Sequence, residues 1–417
     1  MGHYTNSLGG SFNRLMYMKV LVISAAFPPL RAGEADHTLH LCEHLAQRGL
    51  DIHVLTTKKQ AVTTAFPFKV YPIMPHWLWP DLPRLVRFLK VCSPDAVLLI
   101  YSDRDYNGHP MITFAPTVSK ILIPRAPFVT QFETEYLSRN ASIFTRAILK
   151  LVARLAGPER LDYVFGTLLC KSDRVILLSE RHRDRFSQSF PGVERKILVI
   201  PPPPLMRISP ETNGSARQRG REALGLKPGD FLVAYLGYVY PSKGIETLLK
   251  AFQIVNSQRS DTRLVIVGGS IGESHDFSYI EAIHELAQQL RIADKIIWTG
   301  EYAWDTDEAS LYLRGADVCV FPFNGGVTMN RSSVAAAAAH GLPIITTRGS
   351  TVESPFIDEE NVLLCPPQNP QSLAVAIESL ITNPELRERL RAGALQLAGD
   401  YFSWHKAIEC TVGALRP

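Results

Sequence analysis

The chain is short of cysteine, of excess charge and of long apolar runs, and each shortage removes a class of protein. Its six cysteines (Cys42, Cys92, Cys170, Cys319, Cys365 and Cys410) form no C-x-x-C pair. Most stand in apolar runs such as Val318-Cys319-Val320, which predicts buried free thiols and not a disulfide framework. Lys and Arg number 44 and Asp and Glu 40, a formal +4. That balance excludes a disordered polyelectrolyte and argues against a dedicated nucleic-acid binder. No stretch reaches about 18 consecutive apolar residues, so no membrane span is predicted. What remains, in 417 residues that are 46% apolar and 20% charged, is a soluble, cytoplasmic protein with two to three domains. Asn140-Ala-Ser and Asn213-Gly-Ser match the glycosylation pattern, which carries no meaning without a secretory signal. Residues 1–17 are polar and glycine-bearing, and read as a disordered leader or extension before a fold that begins at Met18.

From Met18 the pattern alternates. Short β-branched runs at Lys19–Ser24, Asp51–Thr56, Asp95–Tyr101, Phe128–Phe132, Arg174–Ser179 and Ile197–Ile200 read as buried strands. A helix from about Ala35 to Arg48 has apolar residues at helical spacing and ends at Gly49. Four prolines, Pro201–Pro204, form a stiff extended segment, and a polar stretch from Ser209 to Gly220 marks a domain boundary. The second half repeats the alternation: strands at Phe231–Leu236, Arg263–Val267, Ile296–Thr299, Val318–Pro322 and Pro343–Thr346, with helices between them and to the end. This predicts two α/β halves, each a doubly wound parallel sheet, with ligands beyond the carboxyl ends of the strands in a cleft between them. Motif grounds argue against a nicotinamide cofactor. G-x-G-x-x-G is missing after the first strand, where only Gly33 stands, and the second strand ends in Thr56-Thr57-Lys58-Lys59 instead of an acid.

Four strand-to-helix junctions carry chemistry. Phe27 to Ala35 places Gly33 just before a helix, where backbone amides can meet an anion; the plainer reading is a connecting loop. Ser102 to Pro110 packs Asp103, Arg104, Asp105, Asn107 and His109 beyond a strand. Asp103-x-Asp105 is also the shape of a metal-holding carboxylate pair, though two ligands do not complete a site and a solvated turn suits the aspartates better. Leu236 to Ile245 sets Lys243 at a helix start, a phosphate site or simply a lysine on a turn. Pro322 to Ser333 combines Gly325-Gly326-Val327-Thr328 with Arg331 and a Ser332-Ser333 pair suited to capping the alanine-rich helix that follows.

In this order the segments resemble the family-4 glycosyltransferases, retaining enzymes of GT-B fold, from about Met18 onward. MKVLVISAAFPP opens the chain, and SDRVILLSERHRDRF with KILVIPPPP closes the first domain. YLGYVYPSKGIETLLKAF and RLVIVGG open the second. IIWTGEY, LRGADVCVFPF, AAAAAHGLPIITT and ENVLLCPPQNPQSLAVAIESLITNPELRERL follow, and DYFSWHKAIECTV resembles the terminal helix that crosses back to the first domain. The resemblance implies two Rossmann-like domains facing across a cleft: an acceptor-binding domain at 18–205, a nucleotide-sugar-binding domain at 206–400 and the returning helix at 401–417. It implies transfer of a hexose-type sugar from a nucleotide-diphosphate sugar to a glycan, lipid-linked or small-molecule acceptor, without cofactor or metal and with no nucleic-acid partner. Gly33, Lys243 and Arg331 would bind the donor diphosphate, Gly325, Gly326, Val327 and Thr328 would form the donor sugar and nucleotide loop, and His109 would be the catalytic histidine.

The chain departs from the family at three positions. Tyr238 stands where the family has an arginine, and Thr328 and Ala336 stand where it has two glutamates eight apart. Two rivals follow: a non-catalytic scaffold or regulatory subunit that keeps only the cleft, and a nucleotide-sugar epimerase, which would need ionisable groups around the sugar ring. Between Tyr136 and Arg174, basic residues alternate with Ile143, Phe144, Ala147, Ile148, Leu151 and Leu155. A basic amphipathic helix there could hold the protein at the inner membrane face, or its apolar stripe could cover the sheet. Phe66–Trp79, rich in proline and aromatics, reads as an acceptor loop whose rings stack on sugars or cover the domain surface.

Overall fold

The structure is a computed structural model, describing residues 18–58, 65–134, 167–210, 214–269, 277–303 and 306–417. The leader, Asn140, Asn213 and the apolar–basic helix expected after Tyr136 lie outside these residues. The chain divides into two compact units, residues 1–200 with 405–417, and residues 201–404.

The first unit holds a seven-stranded sheet: β1 (Lys19–Ser24), β2 (Asp51–Thr57), β3 (Lys69–Met74), β4 (Ala96–Tyr101), β5 (Phe128–Phe132), β6 (Arg174–Leu177) and β7 (Ile197–Val199). Its order is β3-β2-β1-β4-β5-β6-β7 and every pairing is parallel. Val22 of β1 stands between Val54 of β2 and Leu98 of β4. All six residues of β4, AVLLIY, are buried. Such unbroken apolar runs are what a strand covered on both faces requires.

The second unit repeats the plan with β8 (Phe231–Leu236), β9 (Thr262–Val267), β10 (Ile296–Gly300), β11 (Val318–Phe321), β12 (Ile344–Thr347) and β13 (Leu363–Cys365), in the parallel order β10-β9-β8-β11-β12-β13. The Ser332–Ala339 helix presents Val334 to Ala338 wholly to the core. Its small side chains let the Pro384–Tyr401 helix pack close beside it. In both sheets the strand order reverses beside the first strand, between β1 and β4 and between β8 and β11, which is where doubly wound sheets open a ligand site.

Several expectations need correction. Phe66–Trp79 is not a free acceptor loop, because it contains β3. β3 accommodates Pro72 because it is the sheet's edge strand, where a missing N–H need not cost a ladder bond. The rings of that segment turn largely inward: Phe66 stacks on Phe68 at 5.2 Å and meets Phe27 edge-on, while Trp77 is buried. The units divide between Ile200 and Pro201, ahead of the expected 205/206 division. Pro204 accepts the Trp404 indole N–H at 3.1 Å and Met206 joins the second core, so the prolines belong to the second unit. Of the six free cysteines, Cys410 is exposed and Cys170 half-buried, the rest being buried as expected.

Candidate functional site

In the second unit the loops after β8 and β11 meet. Asn324 N–H donates to Ser242 O at 3.1 Å and its side-chain amide to Pro241 O at 2.9 Å. A Cβ on Gly244 would sit 2.0 Å from Pro322 O, and Gly244 has φ +73°, so only glycine closes this junction. Lys243 ends the short turn Pro241–Lys243 and Gly244 starts the Ile245–Gln258 helix. The Lys243 side chain is thereby folded inward. Its residue is 9% exposed, and Nζ lies 5.1 Å from the rings of both Tyr240 and Phe323. The Arg331 guanidinium lies 4.8 Å from the same Phe323 ring. Burial first, and then the Arg331 charge, push the Lys243 ammonium down to about 7. Arg331 Nε is buried without a hydrogen-bond partner, and neither cation has an ion-pair partner among the described residues. Ring faces compensate only a fraction of the lost hydration, so this pair is arranged for an anion.

Arg331 is also the N-cap of the Ser332–Ala339 helix, with no side-chain cap. The serine pair does not cap it as expected, because both serines fall within the first turn. The N–H groups of Ser332 and Ser333 have no acceptor among the described residues, which adds two donors and the helix's positive end to the cations. Gly237 borders this end: a Cβ added there would lie 3.9 Å from Ser333 Cβ.

The expected donor loop divides by role. Gly325 opens onto free space, whereas a Cβ on Gly326 (φ +83°) would lie 2.2 Å from Gly349, so Gly326 serves packing. Val327 lies in the core with its N–H on Thr347 O at 2.9 Å, so its side chain is not available to a ligand. Thr328 is buried and donates to Asn330 Oδ1 at 2.5 Å. Ala336 is wholly in the core. A carboxylate does reach this loop from elsewhere: Glu353, buried in the segment after β12, accepts the Met329 N–H.

The first unit's reversal carries the opposite sign. Glu34 and His37 start the helix after β1, Arg104 and Asp105 follow β4, and Glu133 follows β5. Arg104 NH2 reaches both Glu34 carboxylate oxygens, at 3.2 and 3.1 Å, and its Nε lies 3.8 Å from Asp105. Glu133 sits 3.0 Å from His37 Nδ1 and accepts Gln131 Nε2 at 2.7 Å. Burial and the Glu34 charge raise the Asp105 carboxyl to about 7, so Asp105 is no solvated turn residue. Burial, partly opposed by Arg104, also raises Glu34. Among the described residues no group of His, Cys, Asp and Glu is set to hold a metal ion.

Gly33 begins the Gly33–Gln47 helix with open space above it, next to Glu34. His109 is not joined to the acidic network by any hydrogen bond among the described residues. It starts the Pro110–Phe114 turn, accepts Met111 N–H at Nδ1 and packs against Trp79, and burial lowers its pKa. Sequence reasoning marked the segments holding Glu34 and Asp105 but passed over His37, Glu133 and Glu353. The first residue past a strand's carboxyl end was the available signal for Glu133; Glu353 had none.

Two parallel sheets of this order, each with a polar site at its reversal, are the GT-B architecture. The fold matches the Anabaena protein HepE, crystallised with UDP and glucose, at TM-score 0.70 and 17% identity over 95% of this chain and 99% of that one. It also matches WaaG, a glycosyltransferase involved in lipopolysaccharide biosynthesis, at TM-score 0.64 and 16% identity over 94% and 100%. Residues 32–203 match Glycosyltransferase Family 4 and residues 216–396 match Glycosyl transferases group 1, so the chain belongs to the glycosyltransferases. A D-inositol 3-phosphate glycosyltransferase of Jonesia denitrificans is 26% identical over 290 residues, 68% of this chain and 64% of the relative. The chain thus spans under two thirds of that relative's length. An uncharacterized glycosyltransferase of Methanocaldococcus jannaschii is 23% identical over 96% of this chain and 98% of its own. No helix of the described residues is long and apolar enough to cross a membrane.

Proposed function

We propose that this chain transfers a sugar from a nucleotide-diphosphate sugar to an acceptor, with retention at the anomeric carbon and without a metal. One observation carries the reading: the buried Lys243 ammonium and the half-buried Arg331 guanidinium lie against one ring, Phe323, without counter-ions among the described residues, at the second sheet's reversal point. In the reaction the bond from the sugar's anomeric carbon to the diphosphate breaks and its electron pair stays on the diphosphate. The two cations and the free amides of Ser332 and Ser333 neutralise that charge. The acceptor oxygen bonds the anomeric carbon and gives up its proton, which the departing diphosphate oxygen takes. The first unit, with its carboxyl network, takes the acceptor, whose hydroxyls suit Glu34, Asp105 and Glu133 as hydrogen-bond acceptors. Solved relatives in fold bind UDP and glucose, and a Mycolicibacterium smegmatis relative named as a GDP-mannose-dependent mannosyltransferase is 25% identical over 56% of this chain, which supports a nucleotide sugar as donor.

Thermal stabilisation and hydrolysis assays across UDP-, GDP- and ADP-sugars test this. We expect a response to one nucleotide that Lys243→Ala abolishes; silence toward all of them overturns the reading. Thr328 and the buried Ala336, in place of carboxylates, favour a second reading, a non-catalytic subunit that only binds nucleotide. Turnover that disappears in Lys243→Ala rejects it.

A further inference from the structure

Away from both reversal points, the first unit carries a surface that neither site uses. The most exposed large apolar residues among those described are Val91, 79% exposed, and Ile121, 74% exposed. Val91 is in the last turn of the Leu82–Cys92 helix, and Ile121 in that of the Ala115–Leu122 helix. The two helices pack side by side and lead into the neighbouring strands β4 and β5, so both residues lie toward the same end of the sheet. No Asp or Glu occurs from Leu82 to Pro94 or from Pro110 to Pro127, while Arg84, Arg87, Lys90, Lys120 and Arg125 do. Lys120 is paired with Asp173, but Arg87, Lys90 and Arg125 have no carboxylate partner among the described residues. The flanking acids are engaged elsewhere: Asp81 accepts the His76 and Leu78 N–H groups, and Asp95 the Lys19 N–H.

The Leu82–Cys92 helix bears a shallow depression of about 520 Å³ lined by Leu82, Pro83, Val86, Arg87, Lys90 and Val91, a mixture of apolar surface and cation. Eleven helical residues extend this face by about 16 Å. At its upstream end stands Trp79, 45% exposed, whose ring packs on His109. Apolar tips between uncompensated cations, ending at an exposed tryptophan, are the chemistry of a face that lies in the headgroup layer.

We propose that this face, running from Trp79 along the Leu82–Cys92 helix with Ile121 beside it, docks the protein on an anionic phospholipid surface. The cations meet lipid phosphates and Val91 and Ile121 enter the acyl boundary. The assignment uses no residue of the donor site and stands independently of the donor.

Flotation of the full chain with phosphatidylcholine vesicles, with and without phosphatidylglycerol, tests it. We expect binding only to the anionic vesicles, weakening as salt rises. Each cation near such a surface contributes about fivefold, so the Arg87→Gln/Lys90→Gln variant should bind on the order of twentyfold more weakly. Val91→Ser/Ile121→Ser should weaken binding even at low salt. Unchanged melting temperature and unchanged nucleotide-induced stabilisation in both variants would show that the fold and donor site are intact. Three outcomes overturn the proposal. One is no binding to anionic vesicles. Another is binding that both variants retain, which would move the contact to another part of the chain. The third is self-association, seen by light scattering, that the variants dissolve, which would make this face a protein interface.

Discussion

The two sheets reverse their strand order at equivalent places, yet the charges gathered there are opposite. Beyond β8 and β11 stand Lys243 and Arg331 with no carboxylate to pair with; beyond β1, β4 and β5 stand Glu34, Asp105 and Glu133 around one arginine and one histidine. Topology therefore fixes where each site is, and a handful of loop residues fixes what it can hold. A buried ammonium beside a half-buried guanidinium is relieved by an anion such as a diphosphate. A buried set of carboxyls is relieved by a proton or by hydroxyl donors. Both sites hold like charges close together in the free protein, and each carries that strain until a ligand or a proton arrives.

The largest effect should come from erasing the positive side of the contrast. Charge-assisted contacts to phosphate contribute about 1.5–3 kcal/mol each, so Lys243→Ala with Arg331→Ala should weaken nucleoside-diphosphate binding about a thousandfold by calorimetry. A loss under tenfold would show that the opposite signs have no bearing on ligand choice. The folded variant should melt no lower than the native chain, since a buried, unpaired charge has been removed.

Next is the junction that brings the cations together. Gly244→Ala places a Cβ 2.0 Å from Pro322 O at a positive φ, against rigid backbone. The loop must shift, at about 2–4 kcal/mol by urea unfolding, with Lys243 displaced from Phe323. Native-like stability and affinity together would mean the two loops are not locked.

The negative side is probed by pH. The Asp105 carboxyl sits at about 7 in the folded chain, against an ordinary value of 3.8. The native state therefore keeps a proton that the unfolded chain has released. The stability this contributes is complete below the unfolded value and is lost as pH rises through about 7. Asp105→Asn, which cannot ionise, should gain on the native chain above neutrality by on the order of 2 kcal/mol and show no such gain in acid. A pH-independent difference in melting temperature would mean that the carboxyls do not share strain.

Much of this fold was legible because its strands are buried on both faces: KVLVIS, FVTQF and FLVAYL stand in the fold at the bounds read from the sequence. β3 was hidden by Pro72, which only an edge position tolerates, and edges are not marked in a sequence. Lys243 was legible from its place before a helix. That it and Arg331 meet over one ring, Phe323, was not, because strand order brings together residues far apart in the chain, 243 and 331. The acidic network was partly visible, in the two segments that hold Glu34 and Asp105, and partly lost, since Glu133 follows an ordinary apolar strand. Val327 shows the opposite failure: a residue within a promising loop that the fold uses for its core.

Glu353 was hidden for the same reason, and it gives the smallest and most discriminating effect. The loop after β11 lacks a carboxylate of its own at Thr328, and the carboxylate that reaches it comes from beyond β12, on the Met329 N–H. This bond crosses between two loops and fixes the segment that carries Arg331 at its end. Glu353→Gln keeps an acceptor of the same shape but removes the charge. The expected cost is about 1 kcal/mol in stability, with nucleotide affinity lowered a few-fold because Arg331 is held less firmly. Glu353→Ala, which leaves a buried N–H without a partner, should cost about 1–3 kcal/mol. If the two variants lose equally, the negative charge is what matters, and the second site is not purely cationic. If only alanine is damaging, Glu353 acts as a bracket, and the opposition of sign between the two units is complete.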